Sequence, residues 1–145
     1  MQTLRTMPVD EAKRIADRYA QETIGIIRPT GAAENTDSGP APCEGQHGEV
    51  AEDGRYYIQH LYVVPVSRDR QISTLELLQS SWERAGYEVL RLRRFQGEEA
   101  GEVAARIPGD GYQLSVESTS PPTAVSLAVY SPCFMPPDGV DPFRG

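Results

Sequence analysis

Two cysteines and two histidines are the residues in this chain most able to do chemistry. Cys43 stands in Ala41-Pro42-Cys43-Glu44-Gly45 and Cys133 in Ser131-Pro132-Cys133-Phe134. Each follows a proline where a loop meets a strand or its approach. A bond between them would tie a long loop to the end of the last strand and close about 90 residues. That is worth roughly 4 to 5 kcal/mol through entropy removed from the unfolded chain. It would also imply an oxidising compartment. The alternative is a pair of free buried thiols in a cytosolic protein. Zinc is a third use of the same atoms, since Cys43 and His47 have C-x3-H spacing. A structural zinc site shows two close ligand pairs, and Cys133 and His60 are far apart, so no metal is expected.

A serine–histidine–aspartate triad needs one well-placed histidine. His47 falls in a loop and His60 in mid-strand, and there is no G-x-S-x-G elbow. No residue is therefore assigned a catalytic role. Glu98, Glu99 and Glu102 gather in a polar turn, where a solvated role is expected rather than acid–base chemistry. Arg91 and Arg93 share one strand face and Arg94 lies on the other. With Arg68 and Arg70 they make either a basic patch or a set of cross-strand ion pairs. Tyr56, Tyr57, Tyr62 and His60 cluster on one strand, and exposed aromatics beside arginines suit protein or glycan recognition. The candidate binding surface is Tyr57, His60, Tyr62, Arg91 and Arg93. No phosphate loop, dinucleotide fingerprint or calcium loop is present, so no cofactor is implied.

These residues need elements to position them. Val9, Ala12, Ile15, Ala16, Tyr19, Ala20 and Thr23 fall at helical spacing, with Asp10, Lys13, Arg14, Asp17, Arg18 and Gln21 on the other side. The expected cap is Thr6, and the end lies between Gly25 and Arg28 because Pro29 follows. Residues 29–54 read as a long loop, rich in Pro, Gly and acids and without apolar periodicity. Such length calls for a covalent pin, which Cys43 supplies. Residues 55–67 are a strand dense in β-branched and aromatic side chains. Ile58, His60, Tyr62, Val64 and Val66 share one face; Tyr57, Gln59, Leu61 and Val63 share the other. Ser73-Thr74-Leu75-Glu76 predicts a capping box, with Ile72 and Leu77 as its hydrophobic staple. The helix it opens buries Leu75, Leu78, Trp82 and Ala85 and stops at Gly86. Strands over 87–95, 103–107, 112–118 and 123–131 follow, joined by short turns that demand antiparallel pairing.

The order α-β-α-β-β-β-β predicts an α+β fold. It is a two-layer sandwich with two helices on a mainly antiparallel sheet of four to five strands. Residues 1–134 form one domain and 135–145 a flexible tail. The 145 residues suit one domain, able to bury about two-thirds of the surface its unfolded chain exposes. No apolar run approaches the roughly 20 residues of a membrane-spanning helix. The net charge of −7 argues against nucleic acid and polybasic membrane contacts. That charge is uneven: −4 over residues 1–55, zero over 56–106 and −3 over 107–145. Thirteen arginines against the single Lys13 reflect GC-rich coding more than a phosphate site.

Three stretches carry a family resemblance. They are the first helix before Pro42-Cys43-Glu44-Gly45, the segment from Ser81-Trp82 to Gly86-Tyr87-Glu88-Val89, and the run from Ile107 through Gly111-Tyr112 and Pro121-Pro122 to Ser131-Pro132-Cys133. Together they resemble the mature domains of small, uncharacterised actinobacterial lipoproteins or secreted proteins, over most of residues 9–134. Members of that group typically carry a secretion signal and a lipid-attachment cysteine. The resemblance implies a chain beginning after such an anchor, with a cytosolic relative as the alternative. It supports the disulfide and brings no catalytic motif. The expected function is a non-enzymatic, monomeric binding or accessory module of the cell envelope, with a protein or envelope component as partner. The alternatives are a small enzyme centred on His60 and an inhibitor or immunity-type domain.

Overall fold

The computed structural model describes residues 4–44, 53–95 and 99–143. Helix α1 spans Val9–Ile27, with Pro8 in an extended conformation at its N-cap and no side-chain cap. The expected cap, Thr6, instead bridges to Met135 in a parallel pair. Asp10 and Glu11 in the first turn oppose the positive end of the helix dipole. At the other end Arg28 turns left-handed (φ 54°) and Arg70 donates to the carbonyls of Ile27 (2.9 Å) and Arg28 (3.2 Å). Arg70 is thus a helix cap on the helical side of the molecule, not part of a patch with Arg91 and Arg93.

Strand β1 covers Glu34–Pro42, inside the segment expected to be loop. It is an edge strand, largely exposed, held by backbone bonds to β2 (Tyr56–Pro65) rather than by an apolar face. Pro40 and Pro42 are tolerated only because one side of an edge strand needs no donor. A bulge separates Asn35 and Asp37, and the Asn35 amide donates to the Asp37 and Leu61 carbonyls across it. A turn of 3₁₀ helix, Arg68–Arg70, leads into α2 (Gln71–Arg84). The capping box does not form. The 3₁₀ turn starts the helix ahead of Ser73, whose hydroxyl donates to the Arg70 carbonyl (3.2 Å), and Leu77 is exposed rather than stapled.

Strands β3 (Glu88–Arg94), β4 (Gly101–Arg106), β5 (Gln113–Ser118) and β6 (Ala124–Tyr130) complete a six-stranded, wholly antiparallel sheet. The strand order is β1-β2-β6-β5-β4-β3. The class is the expected α+β, with β1 as the strand beyond the four to five foreseen. Both helices bury one stripe against one face of the sheet. Ala12, Ala16 and Ala20 of α1 and Leu75, Leu78 and Trp82 of α2 meet Ile58, Val103, Leu114, Val116, Leu127 and Val129. The small alanines let α1 lie close to the strands. Gly101 is fixed by a different crowding, since a Cβ there would sit 2.3 Å from the Arg93 carbonyl oxygen. Among the described residues no helix is long and apolar enough to cross a membrane.

A disulfide joins Cys43 to Cys133, 90 residues apart in sequence. It fastens the end of β1 beside the chain that leaves β6. Phe134 and Tyr56 exchange two backbone bonds next to it, and Met135, where the tail was expected to begin, is bonded to Arg5 and Met7.

Three buried tyrosines staple this end. Tyr56 donates to the Met7 carbonyl, Tyr112 to the Ala12 carbonyl (3.0 Å) and Tyr19 to the Asp110 carboxylate. Burial first, and Asp110 second for Tyr19, push Tyr19 and Tyr56 up to about 12; burial moves Tyr112 upward too. A phenol whose pKa is raised by folding contributes stability that is intact below its unfolded value near 10 and lost as pH climbs through the folded one. Alkaline titration should therefore show delayed tyrosinate absorbance for these side chains, released together with loss of the fold as pH approaches 12. Full, non-cooperative ionisation of every tyrosine near pH 10 would contradict it.

Candidate functional site

The single-sided packing sorts the candidate residues into two groups. His60 and Tyr62 share the helix-covered face with Ile58 and Val64, whereas Tyr57 lies on the opposite face. The five residues expected to form one surface therefore do not.

On the covered face, α1, β1 and β2 converge on His60. The register places Ser38 of β1 directly opposite it. Ser38 Oγ lies 2.7 Å from His60 Nδ1, and Asp17 Oδ1 of α1 lies 3.0 Å from Nε2. Tyr62 donates to the same Asp17 oxygen (2.8 Å), and Gln21, one helical turn on, donates to Asp17 (3.3 Å) and to Tyr62 Oη (3.1 Å). Burial pushes the Asp17 carboxyl up, but the bonds from His60, Tyr62 and Gln21 outweigh it and hold it below the ordinary aspartate range. Burial and then Asp17 push Tyr62 up to about 12, so it remains a donor. The ionised Asp17 can only accept. In the neutral imidazole the proton therefore sits on Nε2, which leaves Nδ1 to accept from the Ser38 hydroxyl. His60 is only 6% exposed.

The other face of the sheet carries no described helix. Its rows read across the strands. One runs Arg91, Ala104, Ser115, Ala128, Leu61; the next runs Arg93, Glu102, Glu117, Ser126, Val63. Small residues fill the middle of the first row, and Glu117, exposed, stands in the middle of the second. Leu61, Val63, Tyr57 and Tyr130 stand on the β2–β6 side and are partly exposed, with the Tyr57 and Tyr130 rings 6.4 Å apart. On the β3–β4 side Arg91 Nε and Arg93 Nη2 both reach Glu102 Oε1, at 3.1 and 2.5 Å, and cover it. Glu102 is thus a buried strand residue, not a member of a solvated acidic turn; Glu98 and His47 lie outside the described residues. Arg94, on the helix side, lies 3.9 Å from Glu76. Cys43 is committed to the disulfide, so it supplies no thiolate to a metal.

The sequence did not single out Asp17 or Ser38. Asp17 read as part of a solvated helix face, although its neighbours Ala16 and Ala20 are core and Gln21 stands four residues on. Ser38 had no signal, because the strand that carries it shows no alternation. Comparison with known proteins yields no match to any family model, curated protein or solved structure.

Proposed function

We propose that this chain is the exported domain of a lipoprotein-type cell-envelope protein. It acts as a monomeric binding or accessory module that engages a protein partner through the open face of its sheet. The carrying observation is the division of that sheet. One face is filled by helices, while the other presents Tyr57, Leu61, Val63 and Tyr130 around Gln59 on its β2–β6 side and Arg91 and Arg93 on its β3–β4 side. Aromatic side chains and arginines are the residues most enriched among the anchors of protein recognition. The long-range disulfide supports an oxidising compartment, as does the resemblance to actinobacterial lipoprotein domains. Both edges are blunted, β1 by Pro40, Pro42 and its bulge and β3 by three arginines and a bulge. A partner would therefore meet the face rather than extend the sheet.

A photo-crosslinking residue at position 61 tests this, with the same residue at position 77 of α2 as the comparison. In envelope of the source cells, position 61 should give one adduct of defined mass and position 77 none. No adduct at 61, or equal adducts at both, would overturn the reading.

A further inference from the structure

We propose that Ser38 is an acylatable nucleophile, activated by His60 and Asp17, that cleaves small activated carboxylic esters. The site lies on the helix-covered side and is independent of the recognition face. Its three residues come from three elements and are bonded in series: hydroxyl to Nδ1 at 2.7 Å, Nε2 to carboxylate at 3.0 Å. That is the nucleophile–base–orienter geometry of covalent catalysis, with the two ring nitrogens exchanged relative to the familiar protease order. Asp17 is anchored by two further donors, Tyr62 and Gln21, so it holds the imidazole tautomer in which Nδ1 is the free base.

Access comes from the strand edge. β1 pairs only with β2, and since Pro40 and Pro42 take outward positions without a donor, the outward backbone N–H beside the hydroxyl that can receive a developing oxyanion is that of Ser38 itself. Ser38 itself is only half-buried, on a strand that is otherwise largely exposed. An acyl group can therefore approach without displacing core, and a shallow edge suits a short one. In the reaction Ser38 Oγ attacks the ester carbonyl carbon as its proton passes to His60 Nδ1. The imidazolium faces Asp17. The tetrahedral adduct collapses, the C–O bond to the leaving alcohol breaks, and that alcohol takes the proton from Nδ1. Water then attacks the acyl-serine, gives its proton to Nδ1 and expels Ser38, which recovers the proton. The net reaction is ester plus water to carboxylic acid plus alcohol.

A structural clamp of the same three residues would hold β1 to α1 without reactivity. A fluorophosphonate probe separates the two, with mass mapping of the adduct and hydrolysis of p-nitrophenyl acetate as a second readout. Stoichiometric labelling at Ser38 is expected, absent in Ser38→Ala and slowed about 100-fold in His60→Gln, in line with the contribution of a positioned base. Thermal melts of both variants confirm that they remain folded, and Asp17→Asn supplies a third variant should His60→Gln unfold. Absence of labelling at Ser38, labelling spread over several hydroxyls, or an unchanged rate in a folded His60→Gln or Asp17→Asn protein would overturn the proposal.

Discussion

Replacing Cys43 and Cys133 together by serine is expected to lower the unfolding free energy by about 4 to 5 kcal/mol. The bond closes 90 residues, and a loop of that length removes this much conformational freedom from the unfolded chain in the entropic model. Typical domains hold only about 5 to 15 kcal/mol in total, so the variant should sit near the edge of folding. The native state is affected as well. β1 has no apolar face of its own, and its far end is held by the disulfide and by the Cys43 amide bonded to the Arg55 carbonyl. Loss of the bond should fray β1 first and leave the β2–β6–β5–β4 centre intact. Denaturant melts of the two proteins measure the difference, and amide exchange locates it. A loss under about 1 kcal/mol would contradict the assignment of the bond as the main staple.

The second large effect is expected at Gln71. This side chain is fully buried at the start of α2, against β5, β6 and the chain leaving β2. Its amide donates to the carbonyls of Val66 (2.8 Å) and Ala124 (3.2 Å), and its carbonyl accepts from Ser118 Oγ (2.7 Å), which accepts in turn from the Gly101 amide (3.1 Å). Truncation to alanine orphans the Val66 carbonyl and the Ser118 hydroxyl, and each buried orphan costs about 1 to 3 kcal/mol. The Ala124 carbonyl keeps partners in Thr119, so it adds little. Gln71→Ala should therefore lose about 3 kcal/mol and Ser118→Ala less. The pair should be coupled by at least about 0.5 kcal/mol in a double-mutant cycle, as members of one network are. Strict additivity would show that the two side chains act separately.

Elements whose side chains face the core were legible. The alternation of Leu114 and Val116, and of Val125, Leu127 and Val129, marks β5 and β6, and the helical spacing of Ala12, Ala16, Tyr19 and Ala20 marks α1. β1 was not legible, because an edge strand is specified by its partner's backbone and needs no periodicity. The capping motif at Ser73 misled for a related reason. Arg70 and Gln71 are held by tertiary partners, and those start the helix earlier than a local signature can report. Strand alternation grouped His60 with Ile58 and Val64, but only the placement of the helices decides which face is covered. Tyr57 was therefore joined to residues from which the sheet separates it. The Ser38–His60–Asp17 contact depends on strand register and helix placement together, and neither is written in local spacing.

The claim that the open face recognises a partner is tested most directly by the affinity of the cross-linked partner for Tyr130→Ala and Leu77→Ala. Tyr130 belongs to the β2–β6 side of that face and Leu77 to the exposed side of α2. Truncating an aromatic anchor is expected to cost at least about 1.4 kcal/mol, a tenfold rise in Kd, with no change for Leu77→Ala. Equal affinities for Tyr130→Ala and the unaltered protein would contradict recognition through this face.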